Sequence, residues 1–131
     1  MANSISVKTK SRIDMVDITA SVQKEVSKAG VKDAFCVVYV PHTTAGITIN
    51  EGADPAVCQD IIAKLNELAP ANAPEYTHME GNSDSHIKSA VIGNSRTIIV
   101  KDEKLLLGIW EGVMFAEFDG PRNRNIIISI K

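Results

Sequence analysis

The chain has 131 residues, long enough to bury a core without disulfides, and a single domain over residues 1–131 is expected. Its 44% hydrophobic and 23% charged content is that of a soluble globular protein, and a net charge of −2 gives no electrostatic case for nucleic acid or an anionic membrane. No run approaches the roughly 20 apolar residues of a membrane span, and the first residues carry neither a basic n-region nor an apolar h-region. A cytoplasmic protein is therefore expected, with no nucleic-acid or membrane partner.

In chain order, Ser4 to Ile13 alternates, with Ile5 and Val7 opposed to Lys8 and Lys10, as in a half-buried strand near an edge. Asp17 then reads as a helix N-cap. Ile18, Val22, Val26 and Ala29 follow at helical spacing until Gly30 stops the helix. Ala34 to Val40 is a buried strand ended by Pro41, and Thr44 to Asn50 is the next strand. Asp54-Pro55 opens a second helix whose core stripe is Val57, Ile61, Leu65 and Leu68.

After a loop bounded by Pro70 and Pro74, Ser83 or Asp84 caps a short third helix ending at Gly93, with Ile87, Ala90 and Val91 as its packing residues. Thr97 to Val100 is a strand, and Lys101-Asp102-Glu103 is a turn. Leu105 to Phe118 is a strand pair interrupted at Gly108, or one strand with a bulge there. Asp119-Gly120 is a turn, and Ile126 to Ile130 closes the chain as a strand. The order lacks βαβα alternation and predicts an α+β fold with helices packed on antiparallel or mixed sheets. Cys36 and Cys58 form no Cys-x-x-Cys pair and read as buried free thiols in a reducing compartment.

Three polar segments carry the candidate chemistry: Pro41 to Thr44, His78 to His86, and Glu117 to Arg124. The first two hold all three histidines. His42, at a strand exit beside Thr43 and Thr44, is either a ligand or catalytic group, or a loop histidine bonding the backbone. His78 sits in a loop and His86 early in the third helix, each with the same two roles open. Together, His42, His78 and His86 with a nearby carboxylate match the ligand set of a catalytic zinc or another borderline metal. No His-Glu-x-x-His motif supports this locally.

Asn50 and Glu51 at the next strand's end can hold a ligand hydroxyl or act as a general base, or Glu51 simply favours a helix dipole. Arg122 and Arg124 share a face and either clamp phosphate or carboxylate, or form salt bridges with Glu117 or Asp119. Gly81 and Asn82 precede a helix N-terminus that favours an anion. Trp110 reads as a core residue, with Glu111 beside it.

The motifs Pro41-His42-Thr43-Thr44-Ala45-Gly46, Asn50-Glu51 with Asp54-Pro55, His78 and Glu80 to Lys88, Leu107 to Trp110, and Glu117 to Arg122 occur in this order across nearly the whole chain. In them the chain resembles the YjbQ-like family, associated with a secondary thiamine phosphate synthase activity. The resemblance implies a β-sandwich of about seven strands in two sheets with two longer helices and one short helix, assembled as a homotrimer around a threefold axis. It implies a polar pocket built from His42, His78, Asp84 and His86, with a divalent metal, zinc or magnesium, as its cofactor. Glu111 departs from the Gln the family more often carries, removing a donor and adding charge.

The implied reaction joins a pyrimidine diphosphate to a thiazole phosphate and releases pyrophosphate. His42, Glu51, Asp84 and His86 are the catalytic candidates. Thr44, Asn50, Asn82, Lys88, Arg122 and Arg124 are the candidates for holding substrate or anion. Two other functions fit the same residues: a metal-dependent enzyme acting on another substrate, and a non-catalytic trimeric module that binds a phosphorylated small molecule.

Overall fold

A computed structural model describes residues 2–131. Eight strands and three helices follow one another: β1 (Ala2–Lys8), β2 (Asp14–Asp17), α1 (Thr19–Ala29), β3 (Ala34–Tyr39), β4 (Ala45–Glu51), α2 (Pro55–Leu68), α3 (Ser83–Ile92), β5 (Ser95–Lys101), β6 (Lys104–Leu105), β7 (Glu111–Glu117) and β8 (Asn123–Ile130). The expected α+β sandwich is present, with eight strands rather than about seven. The extra strand arises because the first alternating segment ends at Lys8, bends, and resumes as β2 in the other sheet.

One sheet has the order β1-β8-β3-β5-β6 and the other β2-β7-β4, and every pairing is antiparallel. Between the sheets lies the main core, where Val38, Ile98, Ile126 and Ile128 of one face Ile47, Val113 and Phe115 of the other. Helix α1 adds Val22 and Val26, both fully buried. Burying each such valine stabilises by about 1.5–3 kcal/mol. Its boundaries are local: Asp17 Oδ1 accepts from Thr19 N and Oγ1 at 2.9 and 2.6 Å, and Gly30 takes the left-handed C-cap at φ 63°.

Helices α2 and α3 lie on the outer face of the smaller sheet, where Leu65, Ala116 and Phe118 form a second core with Ile61 and Ile92. Strand β7 is therefore covered on both faces, which explains its unbroken apolar run from Val113 to Ala116. Asp54 caps α2 as expected, accepting from Ala56 N at 2.9 Å. Two expected stripes differ. Leu68 is exposed, and α3 turns Ile87, Ala90 and Val91 outward while burying Asp84, Ser85, Lys88 and Ser89. These polar groups are bonded to one another and to backbone, so their burial is satisfied.

Helix α3 is held against β4 at close range. Ser89 Oγ donates to Ala45 O at 2.7 Å, and Ile47 N donates to Gly93 O at 3.0 Å. A Cβ on Gly46 would lie 2.6 Å from Gly93 O, so the approach requires glycine there.

Candidate functional site

The bend after β1, the β3–β4 loop, the first turn of α3 and the β7–β8 loop gather at one end of the sandwich. Two buried ion networks fix them. In the first, the fully buried Glu117 accepts from Arg124 Nε at 2.8 Å, Thr9 Oγ1 at 2.9 Å and Asp119 N at 3.0 Å. A terminal Arg124 nitrogen pairs with its other oxygen and also donates to Thr44 Oγ1 at 2.9 Å. Burial raises the Glu117 pKa, but the Arg124, Asp119 and Thr9 donors outweigh it and hold the carboxyl below 4.5.

In the second network, Asp84 is fully buried. Arg12 grips it with both terminal nitrogens at 3.1 and 2.9 Å, and Lys88 Nζ donates to it at 2.9 Å. Burial again opposes ionisation, and these two cations reverse it, leaving the Asp84 pKa below 3.8. Two cations on one carboxylate leave a unit of positive charge at the base of the site. Ser85 Oγ ties the network to the β7–β8 loop through Phe118 O at 2.6 Å.

Above these networks opens a polar cleft of about 360 Å³ lined by His42, Thr44, Glu80, Asn82, His86, Asp119, Arg122 and Arg124 among others. His42 Nε2 lies 3.1 Å from Asn125 N and 3.2 Å from Asn125 O, accepting from the one or donating to the other according to its tautomer. Burial and the Arg124 charge lower its pKa from 6.5. His78 and His86 meet edge to face, ring centroids 5.2 Å apart, and His86 is the wall between this cleft and a neighbouring one bearing His78 and Tyr76. Arg122 is half exposed and bonds Asp119 through O at 2.9 Å and Oδ2 at 3.2 Å.

The structure thus brings His42, Thr44, Asn82, His86, Arg122 and Arg124 together, with His78 next door. Several expected roles change. Lys88 and Asp84 lie beneath the cleft, out of solvent, each engaged by the other. Arg124 forms the floor, but its fork is committed to Glu117 and Thr44, the salt-bridge alternative for this residue. Asn82 donates to Asp119 Oδ2 at 2.9 Å, leaving its buried Oδ1 as an acceptor without a partner among the described residues, the wrong polarity for an anion. Asn50 and Glu51 sit at the opposite end of β4, about 20 Å away at strand rise. Trp110 is not core but 63% exposed at that same far end.

Among the described residues no three His, Cys, Asp or Glu side chains converge to hold a metal ion. Arg12 and Thr9 escaped the sequence reading, since their partners lie 72 and 108 residues away. No local pattern marks such contacts.

The family model for "UPF0047 protein YjbQ-like" matches residues 3–131. UPF0047 protein MJ1081 of Methanocaldococcus jannaschii is 56% identical over 124 residues, 95% of this chain and 89% of that protein. UPF0047 protein YugU of Bacillus subtilis is 42% identical over 130 residues, 99% and 98% of the two chains. A solved YjbQ/UPF0047 family structure from Clostridium acetobutylicum superposes with a TM-score of 0.96 at 47% identity, covering 98% of this chain and 99% of that one. A protein from Aeropyrum pernix K1 does so at 0.94 and 36%, covering 100% and 98%. The chain belongs to the YjbQ-like UPF0047 family.

Proposed function

We propose that this member of the YjbQ-like family binds a small phosphorylated metabolite in the polar cleft. The observation that carries the reading is the convergence of His42, His86 and Arg122 on one cleft above two buried ion networks, one of which carries two cations on a single carboxylate. Arg122 offers free guanidinium hydrogens beyond its bonds to Asp119, and the Arg12–Asp84–Lys88 network adds long-range positive potential. A volume of about 360 Å³ lies at the small end of ligand pockets and suits one compact metabolite better than two joined substrates. Thermal-shift titration against a panel of phosphate esters tests this. Stabilisation by at least one ester, abolished by Arg122→Ala, is expected; no stabilisation at millimolar concentration by any of them sinks the reading.

The synthase activity implied by the resemblance is tested separately. Purified protein is mixed with the pyrimidine diphosphate and thiazole phosphate. Thiamine phosphate formed by the wild type but not by His86→Ala makes the cleft catalytic.

A metal-dependent reading draws support from His78 and His86 with Glu80 Oε2 3.8 Å from His78 Nε2, donors suited to zinc. Stoichiometric zinc by elemental analysis, lost in His86→Ala, is its test.

The reading includes a homotrimer, supported by the outer face of the larger sheet, where Phe35, Tyr39 and Ile99 are exposed. Sedimentation showing only monomer at micromolar concentration removes it. A reducing, cytoplasmic setting is supported by two free thiols, one buried and one half-buried.

A further inference from the structure

Strands β1 and β6 edge the larger sheet, and β2 and β4 the smaller. An edge strand presents unpaired backbone groups, and folds commonly blunt it by shortness, proline, a bulge or a cover. Strand β6 has two residues and β2 four, and β4 is covered where Ile47 N donates to Gly93 O. Strand β1 has none of these devices. It runs for seven residues, Ala2–Lys8, without proline or glycine.

The register decides which of its groups are open. Phe35 and Lys131 exchange both backbone bonds, at 2.8 and 2.9 Å, so Ile127 and Ser129 of β8 also bond β3. The alternate residues Arg124, Ile126 and Ile128 then bond β1 through Val7, Ile5 and Asn3, in step with Thr9 N donating to Arg122 O at 3.0 Å. Ala2, Ser4, Ser6 and Lys8 therefore turn N–H and C=O to the open edge. No other backbone group among the described residues bonds them there.

Helix α1 runs beside this edge, and between them lies a groove of about 540 Å³ lined by Ser4, Ile5, Ser6, Ser21, Lys24 and Lys28 among others. The buried Glu25 in its lining is already engaged, accepting from Asn3 Nδ2 at 3.1 Å and pairing with Lys28 Nζ at 3.3 Å. Lys24 on the helix and Lys8 on the strand have no ion pair among the described residues. The groove is thus an unpaired strand edge under a net positive rim.

We propose that β1 is a docking edge for a protein partner, whose extended acidic segment adds to the sheet as a further strand. Its main chain bonds Ser4 and Ser6, and acidic side chains at alternate positions face α1 and meet Lys24. Backbone bonds then supply affinity and one row of side chains supplies selectivity. Charge chooses this occupant. A second copy pairing β1 with β1 would set the same lysines against each other. No lining residue of the groove lines the polar cleft, so the proposal stands apart from the phosphate-ester reading.

Fluorescence anisotropy of the full-length protein with a labelled seven-residue peptide, alternating valine with glutamate and matched to β1 in length, tests this. Saturable binding below millimolar concentration is expected. Ser6→Pro removes one outward N–H while leaving the ladder to β8 whole, and should weaken binding about tenfold. Peptides N-methylated on alternate amides make the same test in untouched protein, one set losing binding and the other keeping it. Lys24→Glu should weaken binding several-fold and turn the preference toward a lysine-for-glutamate peptide. No binding at millimolar peptide overturns the proposal. Binding indifferent to both N-methylated sets does so too, since it is charge contact without strand pairing, as does equal binding of the lysine peptide by the wild type. Ser4 and Ser6 amides that resist hydrogen exchange in the protein alone, and lose that resistance on dilution, would make a second copy the occupant and overturn it as well.

Discussion

Replacing Arg124 by methionine isolates what the Glu117 network contributes. Arg124→Met keeps most of the side-chain volume but removes the donors to both Glu117 oxygens and to Thr44. Glu117 stays fully buried, with Thr9 Oγ1 and Asp119 N as its remaining donors. Breaking a buried pair from one side costs about 3–5 kcal/mol. Because two donors remain, the lower end applies, about 3 kcal/mol. At this chain length about 3–4 °C is lost per kcal/mol, so Tm falls by ~10 °C at pH 7.5.

The pH dependence gives the sharper test. In the wild type the Glu117 pKa is depressed. Its contribution is full above the unfolded value and is lost only as pH falls through the lower folded value. In Arg124→Met burial dominates, the carboxyl pKa rises above 4.5, and protonation on the way down from pH 7 relieves the buried charge. The Tm gap between the two proteins should therefore narrow between pH 7.5 and 5. Among the other titrating groups His42 also feels the Arg124 charge, and losing that charge lets its pKa rise toward 6.5, which narrows the gap in the same direction. Thermal melts by circular dichroism across that range measure it. A gap that is constant or widens on acidification refutes the account. The double variant Glu117→Gln/Arg124→Met supplies the control: it carries the His42 effect without the Glu117 carboxyl, so its gap to the wild type should narrow less than that of Arg124→Met.

Three further outcomes are expected. Gly46→Ala drives a methyl to 2.6 Å from Gly93 O and should cost about 1–3 kcal/mol in urea unfolding. His42 should titrate below 6.5 in nitrogen-detected NMR, with its contribution to stability present at neutral pH and lost as pH drops below that value. With a thiol reagent, Cys58 should react in the native state, while Cys36, its thiol pushed by burial up to about 11, should react only on unfolding.

Local chemistry made much of this fold legible. Gly30 and Asp54-Pro55 announce helix ends because one residue's conformational freedom, or one side chain and one ring, decides them. The strands from Ala34 and Thr44 follow from apolar runs cut by Pro41. Helix α3 defeated the same logic. Hydrophobicity assigns Ile87, Ala90 and Val91 inward, but the Asp84–Lys88 pair completed by Arg12 makes the polar face the one that is satisfied when buried. That outcome depends on a residue 72 positions away. The histidine segments meet at one end because each borders a strand or helix terminus. Asn50 and Glu51 were grouped with them because adjacency along β4 says nothing of which end of a strand faces the site.

The tight seam between β4 and α3 has a consequence for ligand recognition. With Gly46 under Gly93 and Ser89 bonded to Ala45, the helix cannot slide along the strand without breaking packing and hydrogen bonds together. His42 enters from the loop before that strand and His86 from the first turn of that helix, so the two imidazoles belong to one rigid body. Their spacing is set before any ligand arrives. A guest that matches it loses little binding energy to reorganising the protein, and one that does not cannot induce the match.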